Sequence, residues 1–135
     1  MPAQAFVAQF LGSCNLLEGT VQSRRDSFVS VHTSVGVLKV DSTSWEQNST
    51  RRERLTLAIR PEKVVLNPVN ADTNCLRARV EDLVYNGAET QYLLRSGGQS
   101  LRACRMNAQP GQPGLRVGDE INAHLPPDGL ILLED

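Results

Sequence analysis

Apolar and polar residues alternate in short bursts along most of this chain, a pattern of period two that marks half-buried strands rather than helices. Leu17, Gly19 and Val21 alternate with Glu18, Thr20 and Gln22, and Arg24-Arg25-Asp26 forms a polar turn before a second burst from Phe28 to His32. A third runs from Val35 to Val40, where Gly36 marks a bulge or tight bend. Leu55, Leu57 and Ile59 point one way while Thr56, Ala58 and Arg60 point the other, until Pro61 removes a ladder donor and ends the strand. Val64 to Leu66 follows as a short extended piece. Two stretches break the alternation. Pro2 to Leu11 carries Phe6, Val7, Phe10 and Leu11 at helical spacing with Gly12 as a stop, which predicts a short N-terminal helix. Asp41 to Arg54 is polar and reads as a loop whose Trp45 packs back onto the body.

After a Pro-containing connector, Asn67 to Asn74, the same grammar returns. Leu76, Ala78 and Val80 line one face of a strand. Asn86-Gly87 and Ser96-Gly97-Gly98 are turn signals on either side of Thr90 to Arg95, and Leu101 to Met106 follows. A Pro- and Gly-rich loop, Gln109 to Gly114, precedes Gly118-Asp119 and two last strands. The halves read as copies: Leu17, Gly19 and Val21 correspond to Leu76, Ala78 and Val80 at an offset of 59 residues, and Leu55, Leu57, Ile59, Pro61, Glu62 and Leu66 to Ile121, Ala123, Leu125, Pro127, Asp128 and Leu132 at 66. Many short strands and almost no helix predict an all-β fold of small closed or partly closed barrels, which remove the unpaired edges that a lone sheet exposes. The expected division is 1–12 as the end of a linker helix, 13–66 as the first barrel half, 67–74 as connector and 75–135 as the second half.

With 135 residues the chain makes one compact domain or two small intertwined ones. Fourteen basic residues against fifteen acidic leave a net charge of −1, too little field to gather phosphate backbones or anionic lipid. No apolar run approaches the roughly 20 residues that span a bilayer, and Met1 to Gly12 lacks the pattern of a secretory leader, so a soluble cytoplasmic chain is expected. Cys14, Cys75 and Cys104 are odd in number and far apart, with only His32 and His124 as companions, so they read as small buried apolar residues rather than a zinc site or disulfide framework. A phosphate-cradling G-x-x-x-x-G-K-[ST] loop is absent, and no nucleophile sits beside a base, which argues against catalysis by these residues. Arg60 and Glu62 flank Pro61 at a strand end, either as a clamp for a ligand or interface or as a pin on a barrel corner.

Three segments carry a family resemblance: FVAQFLGSCNLLEGTV (Phe6 to Val21), LTLAIRPEKVVL (Leu55 to Leu66) and ARVEDLVYNGAETQYLLRSGGQSLRA (Ala78 to Ala103). In this order and separation they resemble the transport-associated oligonucleotide-binding-type (TOBE) domain at the C-terminus of importer ATPases, and the third is most similar to the spermidine/putrescine branch. Relatives usually carry a Gly-Asp turn where this chain has Arg52-Glu53-Arg54, and Trp-x-Pro-Glu where it has His124 to Asp128. The resemblance implies OB-fold-like barrels built from two related repeats, and a non-catalytic regulatory and dimerising role in the ATP-binding subunit of an ABC importer. ATP and magnesium would belong to an ATPase domain upstream of Met1, and this chain would carry no cofactor. The implied partners are that ATPase domain, a second copy of the subunit and, indirectly, the membrane permease, on the cytoplasmic side of the inner membrane, with no nucleic acid and no membrane insertion.

The resemblance also directs attention to particular side chains. Asn15 and Glu18 lie where molybdate-binding relatives hold oxyanions, although Ser13-Cys14-Asn15 lacks a basic residue, leaving backbone donors for that task. Glu81, Asp82 and Glu89, with Tyr85 and Tyr92, could hold a polyamine by ion pairing and cation–π contact, and equally form a solvated strand face. A free-standing oxyanion carrier of two barrels is the alternative function. Single-strand nucleic-acid binding is the third, disfavoured by six aromatics without a basic groove.

Overall fold

A computed structural model describes residues 14–25, 27–41, 54–106 and 114–133. The expected N-terminal helix and the loop holding Trp45 lie outside these residues. Among these described residues, ten strands form two five-stranded antiparallel sheets. In the first, the order is β10 (Ile131–Leu133), β4 (Arg54–Ile59), β1 (Asn15–Arg24), β2 (Phe28–Thr33), β3 (Gly36–Asp41). In the second it is β5 (Val65–Leu66), β9 (Glu120–His124), β6 (Cys75–Asn86), β7 (Glu89–Ser96), β8 (Gln99–Met106). The architecture is the all-β, doubly repeated arrangement that the alternation predicts, with each sheet curled in the manner of a small OB-like barrel.

The repeat is visible in detail. Each long first strand slips register once, between Val21 and Ser23 in β1 and between Val80 and Asp82 in β6. Such a bulge inserts one residue and bends the strand, which lets the sheet curl. A 3-10 turn follows the next-to-last strand of each half, Pro61–Lys63 and Pro127–Gly129, in both cases opened by proline, whose fixed φ suits the first helical position.

What the alternation alone does not reveal is where the strand after each turn goes. β5, in the first half of the sequence, pairs with β9 of the second sheet (Val65↔His124, Leu66↔Ala123), and β10 returns to pair with β4 (Ile131↔Ala58, Leu132↔Leu57). Each half thus covers an edge that the other would leave open, and a cut at 67–74 divides the sequence but not the sheets. The inward faces of both sheets share one apolar cluster, with Leu17, Val31, Leu38 and Leu57 from one and Val80, Leu94, Leu101 and Ala123 from the other.

Three expectations are corrected. Ala58, expected on the outward face of β4, is fully buried, flanked in its row by the larger Leu16 of β1 and Ile131 of β10. Cys75 is exposed rather than buried, since it shares the outward parity of Arg77 and Arg79 on β6. The turn signalled by Asn86-Gly87 sits one residue later: Asn86 pairs with Glu89, so Gly87 and Ala88 form the two-residue loop, with Gly87 at φ 66°.

Candidate functional site

The β6–β7 hairpin extends further than its counterpart, with 12 and 8 residues against 10 and 6 in β1 and β2. Its bulge decides what the extension presents. Val80 pairs with Leu94 and Asp82 with Leu93, so Glu81 is the inserted residue and the parity of β6 reverses after it. Leu83 then turns inward, opposite the buried Tyr92, while Asp82 and Val84 turn out. Strand pairing places Asp82, Leu93 and Arg102 in one row and Val84, Gln91 and Cys104 in the next. Glu89 lies in the row beyond, opposite Met106.

Pro61 and Glu62 of the first 3-10 turn stand beside this face and complete a cleft of about 600 Å³. Its charged lining comprises Glu62, Asp82, Glu89 and Arg102, joined by the thiol of Cys104 and the phenol of Tyr92, an acidic excess beside the apolar sides of Val84 and Leu93. Cys104 Sγ donates to Glu89 Oε2 at 3.0 Å, and this bond, with burial and the carboxylate charge adding to it, pushes the thiol pKa up to about 11. Cys14 is also raised, chiefly by burial, with Arg60 opposing and Glu62 adding. Arg105 lies over the ring of Tyr92 at 5.6 Å. A cation therefore already occupies one face of Tyr92, one of the two aromatics that the sequence offers to a ligand.

Of the nine residues singled out by sequence, Glu62, Asp82, Glu89 and Tyr92 meet at this cleft. Glu81 faces Arg95 instead, at 3.1 Å. Tyr85, at the far end of β6, is 71% exposed and stands outside the cleft lining. Arg60 and Glu62 approach only to 4.0 Å and are both about half exposed, a geometry of little energetic consequence. Glu18 lies with Thr20, His32, Ser34 and Arg54 around a smaller depression of about 290 Å³ in the first half. Gln91, Arg102 and Cys104 were missed. Counting outward from the Gly97-Gly98 turn pairs Leu93 with Arg102 and Gln91 with Cys104, on the face of β7 that also carries Glu89.

Asn15 is buried, and its amide is engaged within the fold. Its Nδ2 donates to the carbonyls of Ile59 (3.3 Å) and Arg102 (2.8 Å), while its Oδ1 accepts from the Arg102 N–H (2.6 Å). Asn74 repeats the arrangement in the other half. Its Nδ2 donates to the carbonyls of Lys39 and Leu125, and its Oδ1 accepts from the Lys39 N–H, all at 2.8 Å.

Two curled sheets that exchange strands, with a cleft walled on one side by a 3-10 turn, define a tandem OB-like β module. The chain belongs to the TOBE domain family, whose family model matches residues 57–133. It is 35% identical over 126 residues to the spermidine/putrescine import ATP-binding protein PotA of Rubrobacter xylanophilus, covering 90% of this chain and 32% of that protein. It is likewise 35% identical to the PotA of Pseudomonas aeruginosa (90% and 34%), and 37% identical to the sulfate/thiosulfate import ATP-binding protein CysA 2 of Chromobacterium violaceum (90% and 33%). The chain therefore spans about a third of the length of the curated relatives it matches. In fold it is similar to the cytoplasmic molybdate-binding protein ModG in a form with molybdate bound, with a TM-score of 0.70 and 17% identity over 87% of this chain and 94% of that one.

Proposed function

We propose that this chain is the regulatory and dimerising part of the ATP-binding subunit of an ABC importer, with no catalysis of its own, and that polyamines are the transported cargo. The observation that carries the reading is the match over 90% of this chain to spermidine/putrescine import ATP-binding proteins. ATP and magnesium are handled in a nucleotide-binding domain outside these residues, and the subunit meets a second copy and the permease at the cytoplasmic face of the inner membrane. A lasting contact between two regulatory domains makes reclosure of the ATPase halves intramolecular, which raises its probability without new chemistry. The cleft is compatible with such a cargo, since three carboxylates against one guanidinium suit ammonium groups and the faces of Val84 and Leu93 suit methylenes.

A graft tests the reading. This chain replaces the matching third of the Pseudomonas aeruginosa spermidine/putrescine protein and, separately, of the Chromobacterium violaceum sulfate/thiosulfate protein, and uptake is measured. Restored spermidine uptake in the first with none of sulfate in the second supports it; failure in both removes the importer role, and rescue of sulfate alone removes the polyamine assignment.

A second reading, a free-standing oxyanion binder, is favoured by the ModG-like fold over 94% of that chain's length. Calorimetry with molybdate, tungstate and sulfate tests it. No heat at micromolar protein removes it.

A further inference from the structure

The cleft has two walls, and one buried side chain holds both. Arg102, on β8, lines one side; on the other, Ile59 ends β4 just ahead of Pro61 and Glu62, which line the cleft from the 3-10 turn. Asn15 lies in β1, outside the lining, yet its amide bonds the Arg102 N–H and C=O and the Ile59 carbonyl at once. With the Arg102 backbone it completes a rung of the kind a neighbouring strand would supply. Without the amide, the Arg102 N–H and C=O would lose these bonds at a part-buried seam, a costly state.

We propose that Asn15 is a positioning residue that fixes the width of this cleft, so that opening the cleft and loosening the seam between the two halves are one event. The inference concerns the walls and holds for whatever occupies the cleft. Its internal control is built into the repeat. Asn74 makes the same bonds to Lys39 and to Leu125, which precedes Pro127 and Asp128, but that seam lies away from the cleft. Loss of either amide removes equivalent bonds. Only loss of Asn15 should release Arg102 and, two residues along the same face of β8, Cys104.

Cys104 serves as the reporter, its alkylation rate being read by mass spectrometry against a small-molecule thiol at fixed pH. In the full chain, Asn15→Ala is expected to raise that rate about tenfold, by local opening. Asn74→Ala, which also sets an alanine at φ 54°, should lower the urea midpoint at least as far yet leave the Cys104 rate within about twofold of the unaltered chain. Asn15→Asp, which keeps the acceptor for the Arg102 N–H and sets a carboxylate against two carbonyls, should fall between. Equal acceleration in both alanine variants, or none in Asn15→Ala, overturns the proposal. Should the variants fail to fold, the unaltered chain decides. Arg102 amide exchange and Cys104 alkylation must then share one urea dependence that differs from that of the Lys39 amide, and divergence of the first two overturns the coupling.

Discussion

The half led by β1 and the half led by β6 share their buried asparagines, their bulges and their proline-opened 3-10 turns, but differ in what surrounds them. In the first half the β1–β2 ribbon is short, and the depression beside it holds Glu18, His32 and Arg54. In the second, the longer β6–β7 ribbon carries the larger cleft. The shared features are those that strand exchange requires: each half must offer β4 or β9 an incoming strand, and must satisfy the edge of the opposite β3 or β8. Hairpin length beyond that point has no part in the exchange, so it is free to differ and to build a site.

The same comparison ranks the changes that would disturb it. The largest effect is expected where the halves differ inside the core. Leu57 is fully buried, and its counterpart is Ala123. Leu57→Ala should cost about 3 kcal/mol in urea unfolding, the usual loss for a buried leucine, and Ala123→Leu about 1–3 kcal/mol through overpacking. A cost below about 1 kcal/mol for Leu57→Ala would mean that the core collapses around the site and that the two positions are interchangeable.

A smaller effect separates Gly19 from Ala78. A Cβ at Gly19 would stand 2.6 Å from Val31 Cγ1 and 2.8 Å from the His32 carbonyl, whereas Ala78 holds a buried methyl at the matching position of β6. Gly19→Ala should cost about 2 kcal/mol, because one of the contacts is backbone and cannot rotate away. Ala78→Gly should cost about 1 kcal/mol through added backbone freedom. Equal, small costs would show that β1 and β6 curl alike.

The least effect is the pH dependence of the second half alone. The folded chain binds the Cys104 proton more tightly than the ordinary thiol, with a pKa of about 11 against 9.0. Its contribution to stability is therefore intact below pH 9 and is lost as pH climbs from 9 through 11. Cys104→Ala should flatten the urea-stability curve in that window relative to the unaltered chain and leave the region below pH 9 parallel. Identical slopes in the two proteins would show that the Glu89 bond is not formed in solution.

Much of the frame was legible because strands of period two declare their faces. Leu17, Leu57, Val80 and Leu101 are buried where alternation puts them, and the offset of 66 residues between Pro61 and Pro127 anticipates the matched 3-10 turns. The cleft was partly legible. Glu62, Asp82, Glu89 and Tyr92 converge, but Glu81 does not, since the bulge makes it the inserted residue and turns it to Arg95. Nothing local in Val80-Glu81-Asp82 announces a bulge, which arises from the demand that the sheet curl over its core.

Taken alone, the order of residues determined which positions face inward, where the chain must turn and that it repeats, because side-chain alternation and proline geometry act over a few residues. Tertiary structure alone decided that β5 and β10 change places, that Ala58 is covered, and that Asn15 and Asn74 each reach the opposite half. Those outcomes depend on which edges and carbonyls remain without partners once both sheets exist, and that demand is set between segments far apart in the chain.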